Sequence, residues 1–151
     1  MSVIQDIKTI LGEKQPETKH IEINKPAKKI LIVEDETILL EMYKDKFTKE
    51  GYTVATAENG EKGLETVFSQ KPDIILLDLM MPVMDGKTML RKLREFPQYK
   101  KLPVIILTNA GETKNIRETK RYDDACEFLI KSNINVDEIV KRANFWINAF
   151  I

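Results

Sequence analysis

From Lys29 onward, five short apolar runs alternate with longer stretches in which apolar residues recur every three or four positions. The runs predict strands over 29–34, 52–57, 73–78, 103–108 and 126–130, and the stretches predict helices over 36–50, 59–70, 86–96, 112–122 and 135–150. The first, third and fourth runs (Ile30-Leu31-Ile32-Val33, Ile74-Ile75-Leu76-Leu77 and Val104-Ile105-Ile106-Leu107) are apolar at every position, as expected of strands covered on both faces. The second, Tyr52 to Ala57, is mixed and predicts an edge strand. Turn chemistry separates the units at Glu50-Gly51, Asn59-Gly60, Lys71-Pro72, Asp85-Gly86 and Leu102-Pro103. Alternating β and α units of this length predict an α/β domain, with a parallel sheet, helices on both faces and right-handed crossovers.

The helices differ in how firmly they should be held. The first carries Leu39, Leu40, Tyr43 and Phe47 on one side, and the fifth carries Ile139, Val140, Ala143, Trp146, Ile147 and Phe150 at the same kind of spacing. The fourth, 112–122, has only Ile116 and Tyr122 as sizeable apolar residues and predicts a weakly anchored helix. Residues 1–28 lie outside the five-unit pattern. Val3, Ile4, Ile7, Ile10 and Leu11 predict one face of a short amphipathic helix that Gly12 would stop, and 13–28, with Pro16 and Pro26, read as linker. Such a helix needs a surface to pack on. The extra apolar residues Phe145, Phe150 and Ile151 are a candidate dock, in the same chain or in a second copy, which makes a homodimer one of the expected assemblies.

Composition narrows the classes. A chain of 151 residues is of one-domain length, and its 24 basic and 24 acidic residues balance, so no basic surface argues for direct nucleic-acid binding. One cysteine, Cys126, excludes a disulfide framework and fits a reducing, cytoplasmic setting. No apolar stretch approaches the roughly 20 residues needed to span a bilayer, and the first residues lack a signal-peptide cleavage pattern.

The chemistry gathers at strand ends. Glu34-Asp35 closes the first strand and Asp78 the third, while Thr108 and Lys131 follow the fourth and fifth. In a doubly wound sheet, ligands bind beyond the carboxyl ends of the strands where the strand order reverses. For the flavodoxin-like order 2-1-3-4-5 that point lies between the first and third strands, the two that end in acid. Three carboxylates meeting there repel one another unless a cation sits among them.

The succession Val33-Glu34-Asp35-Glu36, Leu77-Asp78-Leu79-Met80-Met81-Pro82-Val83-Met84-Asp85-Gly86, Leu107-Thr108-Asn109-Ala110 and Phe128-Leu129-Ile130-Lys131 resembles the receiver domain of two-component response regulators, of the stand-alone, chemotaxis-regulator-like type, over about 29–150. The resemblance implies a five-stranded flavodoxin-like domain at 29–151 with an N-terminal extension at 1–28. It implies that Asp78 accepts a phosphoryl group from a sensor histidine kinase or a histidine phosphotransfer protein. It also implies that Mg²⁺ is held by Asp35, Asp78 and the Met80 backbone carbonyl, with Glu34 acting through water. Thr108 and Lys131 would contact phosphoryl oxygens, and Thr108 and Phe128 would form the switch. Catalysis would extend to the domain's own phosphorylation and dephosphorylation. With the fifth helix running to Ile151, output is expected through a downstream protein partner or onward phosphotransfer.

The chain departs from the family at three places. Ser132 stands where relatives commonly have a cis Pro, so the Lys131–Ser132 bond is expected to be trans, leaving Ser132 or Asn133 to cap the fifth helix. Asn109 replaces a smaller residue, and Phe128 occupies a position that varies among Tyr, Phe and His. Asp85-Gly86 is read as a turn and helix cap rather than a site element, Cys126 as a small buried residue, and His20 as part of the linker. Two other classes compete: a constitutive protein-binding module that no longer switches, and a flavodoxin-like cofactor binder. The acidic first loop, Glu34-Asp35-Glu36-Thr37, disfavours the second, because a phosphate cradle would offer Gly, Ser and Thr amides.

Overall fold

The computed structural model describes residues 26–149, except 110, 112 and 122. The expected amphipathic segment at 1–11, His20, Tyr122, Phe150 and Ile151 lie outside the described residues. The elements run β1 (Lys29–Val33), α1 (Thr37–Lys49), β2 (Thr53–Ala57), α2 (Gly60–Gln70), β3 (Ile74–Asp78), α3 (Gly86–Arg94), a 3-10 turn (Pro97–Tyr99), β4 (Val104–Thr108), α4 (Thr113–Lys120), β5 (Cys126–Ile130), a second 3-10 turn (Lys131–Asn133) and α5 (Val136–Ala149). All pairings are parallel and the order is β2-β1-β3-β4-β5. The expected fold class and the edge position of the mixed strand are both borne out.

Alternation along the strands divides the core in two. Leu31, Val33, Ile75, Leu77, Val104 and Ile106 face α2 and α3 and pack with Val67, Met89, Leu90 and Leu93. Ile30, Ile32, Ile74, Leu76, Ile105 and Leu107 face the other way, onto Tyr43 and Phe47 of α1 and Ile139, Val140, Ala143 and Ile147 of α5. No described residue of α4 belongs to either cluster, and Ile116 is only half-buried, in keeping with the sparse apolar pattern of that helix. Cys126 is a buried free thiol; burial, with help from Asp123, pushes it up to about 12, so it stays protonated.

Helix starts follow local chemistry. The Asn59 side chain accepts from the Lys62 amide at 2.9 Å, and Asp85 accepts from the Thr88 amide at 2.8 Å. Each leaves a helix N-terminus with one fewer unpaired donor, and the structural reading of Asp85 holds. The start of α5 corrects an expectation. Neither Ser132 nor Asn133 caps it; both lie in the 3-10 turn, and the Asn135 side chain accepts from the Glu138 amide at 2.9 Å. The turn adds a step between Lys131 and the helix, so the residue immediately before Val136 becomes the cap. All described peptide bonds are trans, Lys131–Ser132 included. Phe145 is 52% exposed, but its ring lies 4.6 Å beneath the Arg142 guanidinium, so it offers less bare apolar surface than the sequence suggested.

Candidate phosphoacceptor site

The carboxyl edge of the sheet brings the predicted acids together. Val33 pairs with Leu77, so Glu34 and Asp35 emerge beside Asp78, and oxygens of the three carboxylates lie within 4.8 Å of one another. Asp78 and Glu34 are buried, whereas Asp35 is exposed at the mouth. Lys131 reaches in from the end of β5. Its Nζ lies 3.1 Å from Glu34 Oε1 and 3.2 Å from Asp78 Oδ1, with the side chain 19% exposed. The trans path after Lys131 therefore still aims the amine at Asp78.

Electrostatics at this edge are unbalanced, with three carboxylates against one ammonium. Burial, and then the Asp78 charge, push Glu34 up to about 7, although its hydrogen bond from Lys131 and another from the Glu36 amide pull the other way. Burial alone would lower the Lys131 ammonium; the Glu34 hydrogen bond and the Asp78 charge outweigh it and raise it. A carboxyl raised in the folded state holds a proton that the unfolded chain releases. Its contribution therefore falls as pH rises from about 4.5 to about 7. An all-oxygen donor set with surplus negative charge is the kind that suits a hard divalent cation.

Thr108, at the end of β4, is buried, and its hydroxyl donates to the Asn109 carbonyl at 3.3 Å. Phe128 is half-buried against the core cluster on the α2/α3 side. Met80 lies two residues past Asp78 in the β3–α3 loop, with an exposed side chain.

That loop is held by backbone bonds. The Gly86 amide donates to Leu79 at 2.9 Å and the Gly60 amide to Met84 at 3.0 Å. A Cβ on Gly86 would sit 2.3 Å from the Asp78 carbonyl oxygen and 3.0 Å from Leu79 Cα. Gly86→Ala should thus displace the backbone that carries Asp78, costing about 1–3 kcal/mol; urea unfolding measures it, and an unchanged midpoint would mean that α3 yields freely. The sequence gives no sign of Val83, whose φ is 69°, with the Met84 amide donating to Pro82 at 2.8 Å around it. A β-branched residue in that tight turn is strained, and nothing in its type announces the turn.

Comparison with known proteins adds to this geometry. The response regulator receiver domain family matches residues 30–144. The chain belongs to that family. Among curated relatives, the receiver is 35% identical over 111 residues to sporulation initiation phosphotransferase F of Bacillus subtilis, covering 74% of this chain and 86% of that protein. It is 42% identical over 103 residues to response regulator PleD of Caulobacter vibrioides, covering 68% of this chain but only 22% of that protein. It spans 52% of the probable transcriptional regulator ycf29 of Porphyra purpurea, at 32% identity over 111 residues and 74% of this chain. Among solved structures, a Francisella response regulator receiver domain superposes with a TM-score of 0.72 at 30% identity, over 82% of this chain and 99% of that one. The Vibrio cholerae chemotaxis protein CheY4 gives 0.72 at 28% identity, over 79% and 98%. No described helix of this receiver is long and apolar enough to cross a membrane.

Proposed function

We propose that this receiver accepts a phosphoryl group on Asp78 from a phosphohistidine of a sensor kinase or histidine phosphotransfer protein, and signals by binding a protein partner or passing the group onward. The observation that carries the reading is the half-buried Lys131 amine, 3.2 Å from Asp78 inside a cluster of three carboxylates. An amine so placed can pair with an anionic group arriving at Asp78. In the transfer, an Asp78 carboxylate oxygen forms a bond to phosphorus as the phosphorus–nitrogen bond breaks, and the electron pair returns to the imidazole. Thr108 donates its hydroxyl to one phosphoryl oxygen and Lys131 its charge to another. To do so Thr108 gives up the Asn109 carbonyl, and Phe128 turns further inward to fill the space it leaves.

Asp35, Asp78 and the Met80 carbonyl would hold Mg²⁺ directly, with Glu34 behind a water; the ion would screen the negative charge shared by nucleophile and phosphoryl group. The name of the Bacillus relative, a phosphotransferase, supports onward transfer as one output. The family match beginning at residue 30 supports reading 1–28 as an extension and 29–151 as the receiver. A cytoplasmic location belongs to the same reading and is supported by the single, buried, unpaired cysteine.

Melting curves test the cation site. Millimolar-scale Mg²⁺ should stabilise the wild type by about 1 kcal/mol or more once it exceeds Kd several-fold, and should do less for Asp35→Ala. Equal shifts in both proteins would contradict the ligand assignment. Labelling by a small phosphodonor, with and without Mg²⁺, tests the acceptor reading and separates it from a module that no longer switches.

A further inference from the structure

Among the described residues, one buried side-chain polar atom has no hydrogen-bond partner: the hydroxyl of Thr119, in the last turn of α4. Thr119 is fully buried. The other buried polar residues are all engaged: Glu34 and Asp78 by Lys131, Asn59 by the Lys62 amide, Thr108 by the Asn109 carbonyl and Asp123 by Arg94. We propose that Thr119 is a built-in bias against the position α4 holds here, so that the helix is set to leave it when the charge at the Asp78 site changes. The link to Asp78 rests on the function proposed above; the bias itself does not.

A buried hydroxyl without a partner has lost its hydration and gained nothing in return. Any small shift or rotation that brings it to water or to a free carbonyl recovers that loss. The rest of α4 does little to resist such a shift. None of its described residues joins a core cluster, and Ile116 is half-buried. The Lys87–Glu118 pair that ties it to α3 is partly solvated and weakly held. Among the described residues, the firmest tie lies just beyond its carboxyl end, where the Arg94 guanidinium grips Asp123 at 2.6 Å. The helix is therefore firmly anchored after its last turn and loose before it, with the unpaired hydroxyl in between. Leaving such a group unpaired is worth roughly a tenfold change or more in the equilibrium between two positions. A charge change at Asp78 then needs that much less differential interaction to move the helix.

The substitutions that isolate the hydroxyl are Thr119→Val, which keeps the β-branched shape, and Thr119→Ser, which keeps the hydroxyl. Amide hydrogen exchange along α4 is measured in the unphosphorylated proteins, together with their melting temperatures. It is measured again after reaction with a small phosphodonor, with occupancy of Asp78 read separately by intact mass. Thr119→Val should melt higher than wild type, slow exchange within α4 by roughly tenfold, and show a smaller α4 response at equal occupancy. Thr119→Ser should exchange as fast as wild type or faster. Exchange in Thr119→Val that is as fast as wild type, or an undiminished α4 response at equal occupancy, would overturn the proposal. If wild-type Asp78 takes no phosphoryl group, the function proposed above fails, and the exchange comparison still decides whether Thr119 biases the helix.

Discussion

Asp78→Asn is expected to abolish acyl-phosphate formation completely while leaving the fold intact. The amide cannot attack phosphorus as a carboxylate does, so the loss should be total rather than graded. Stability should move the other way. Asp78 is buried beside Glu34 and Asp35, and its charge helps push Glu34 up to about 7. A nearly isosteric neutral group removes one of three crowded negative charges. It also weakens one of the two contacts of Lys131, but the pair with Glu34 at 3.1 Å remains. Without Mg²⁺ the variant should therefore melt at or above the wild type. Glu34 should titrate closer to an ordinary carboxyl, which carbon-detected NMR can follow. Phosphorylation that survives in Asp78→Asn would remove the acceptor assignment, and a large fall in melting temperature would mean that Asp78 has a structural role the geometry does not suggest.

The largest expected loss of stability lies at the opposite end of the sheet. Arg94, at the end of α3, donates to Asp123 at 2.6 and 3.2 Å, to the Tyr99 and Leu102 carbonyls at 2.7 Å each, and to the Ala125 carbonyl at 3.3 Å. Asp123 in turn accepts from the Ala125 amide at 2.9 Å. The side chains are 10% and 1% exposed, so neither charge has water to fall back on. One guanidinium thus ties α3, the segment leading into β4 and the loop leading into β5. Arg94→Ala strands a buried carboxylate and takes one donor from each of three carbonyls, of which Ala125 still accepts from the Val104 amide at 3.0 Å and Tyr99 from the Leu102 amide at 3.4 Å, and should cost about 3–5 kcal/mol. Arg94→Lys should recover little, since an ammonium cannot span the same fork. Asp123→Asn in the Arg94→Ala background should restore part of the loss by removing the stranded charge. Urea unfolding measures each step; a cost below about 1 kcal/mol for Arg94→Ala would place this pair with ordinary surface ion pairs.

What was legible in the sequence follows from how each feature is encoded. The sheet is legible because Ile30–Val33, Ile74–Leu77 and Val104–Leu107 are uniformly apolar, short and rich in β-branched residues, as strands covered on both faces are. The cluster of acids is legible because a parallel sheet brings the ends of β1 and β3 to one edge, so two sequence positions suffice to predict a contact. The Arg94–Asp123 clamp was missed. It joins an arginine at a helix end to an aspartate in a loop 29 residues away, and neither type is unusual where it stands. Thr119 was missed for a related reason: in a helix so rich in charge, a threonine gives no hint that, among the helix's described residues, it is the one fully buried. Val83 was missed because its residue type argues against the conformation it adopts. The cap of α5, expected at Ser132 or Asn133, lies at Asn135 instead, because the 3-10 turn after Lys131 has no apolar rhythm to announce it. Periodic and additive features can be read from sequence, whereas single-residue geometry set by tertiary packing cannot.

Borohydride trapping tests the central claim most directly. An acyl phosphate on a carboxylate is reduced to the alcohol, whereas an unmodified carboxylate is untouched, so reduction after exposure to a small phosphodonor marks the acceptor. With Mg²⁺ present, peptide mapping should find homoserine in place of Asp78 and at no other aspartate, and should find far less when the ion is chelated. Marking at another aspartate, or no marking at all with Mg²⁺ and phosphodonor in excess, would contradict the account.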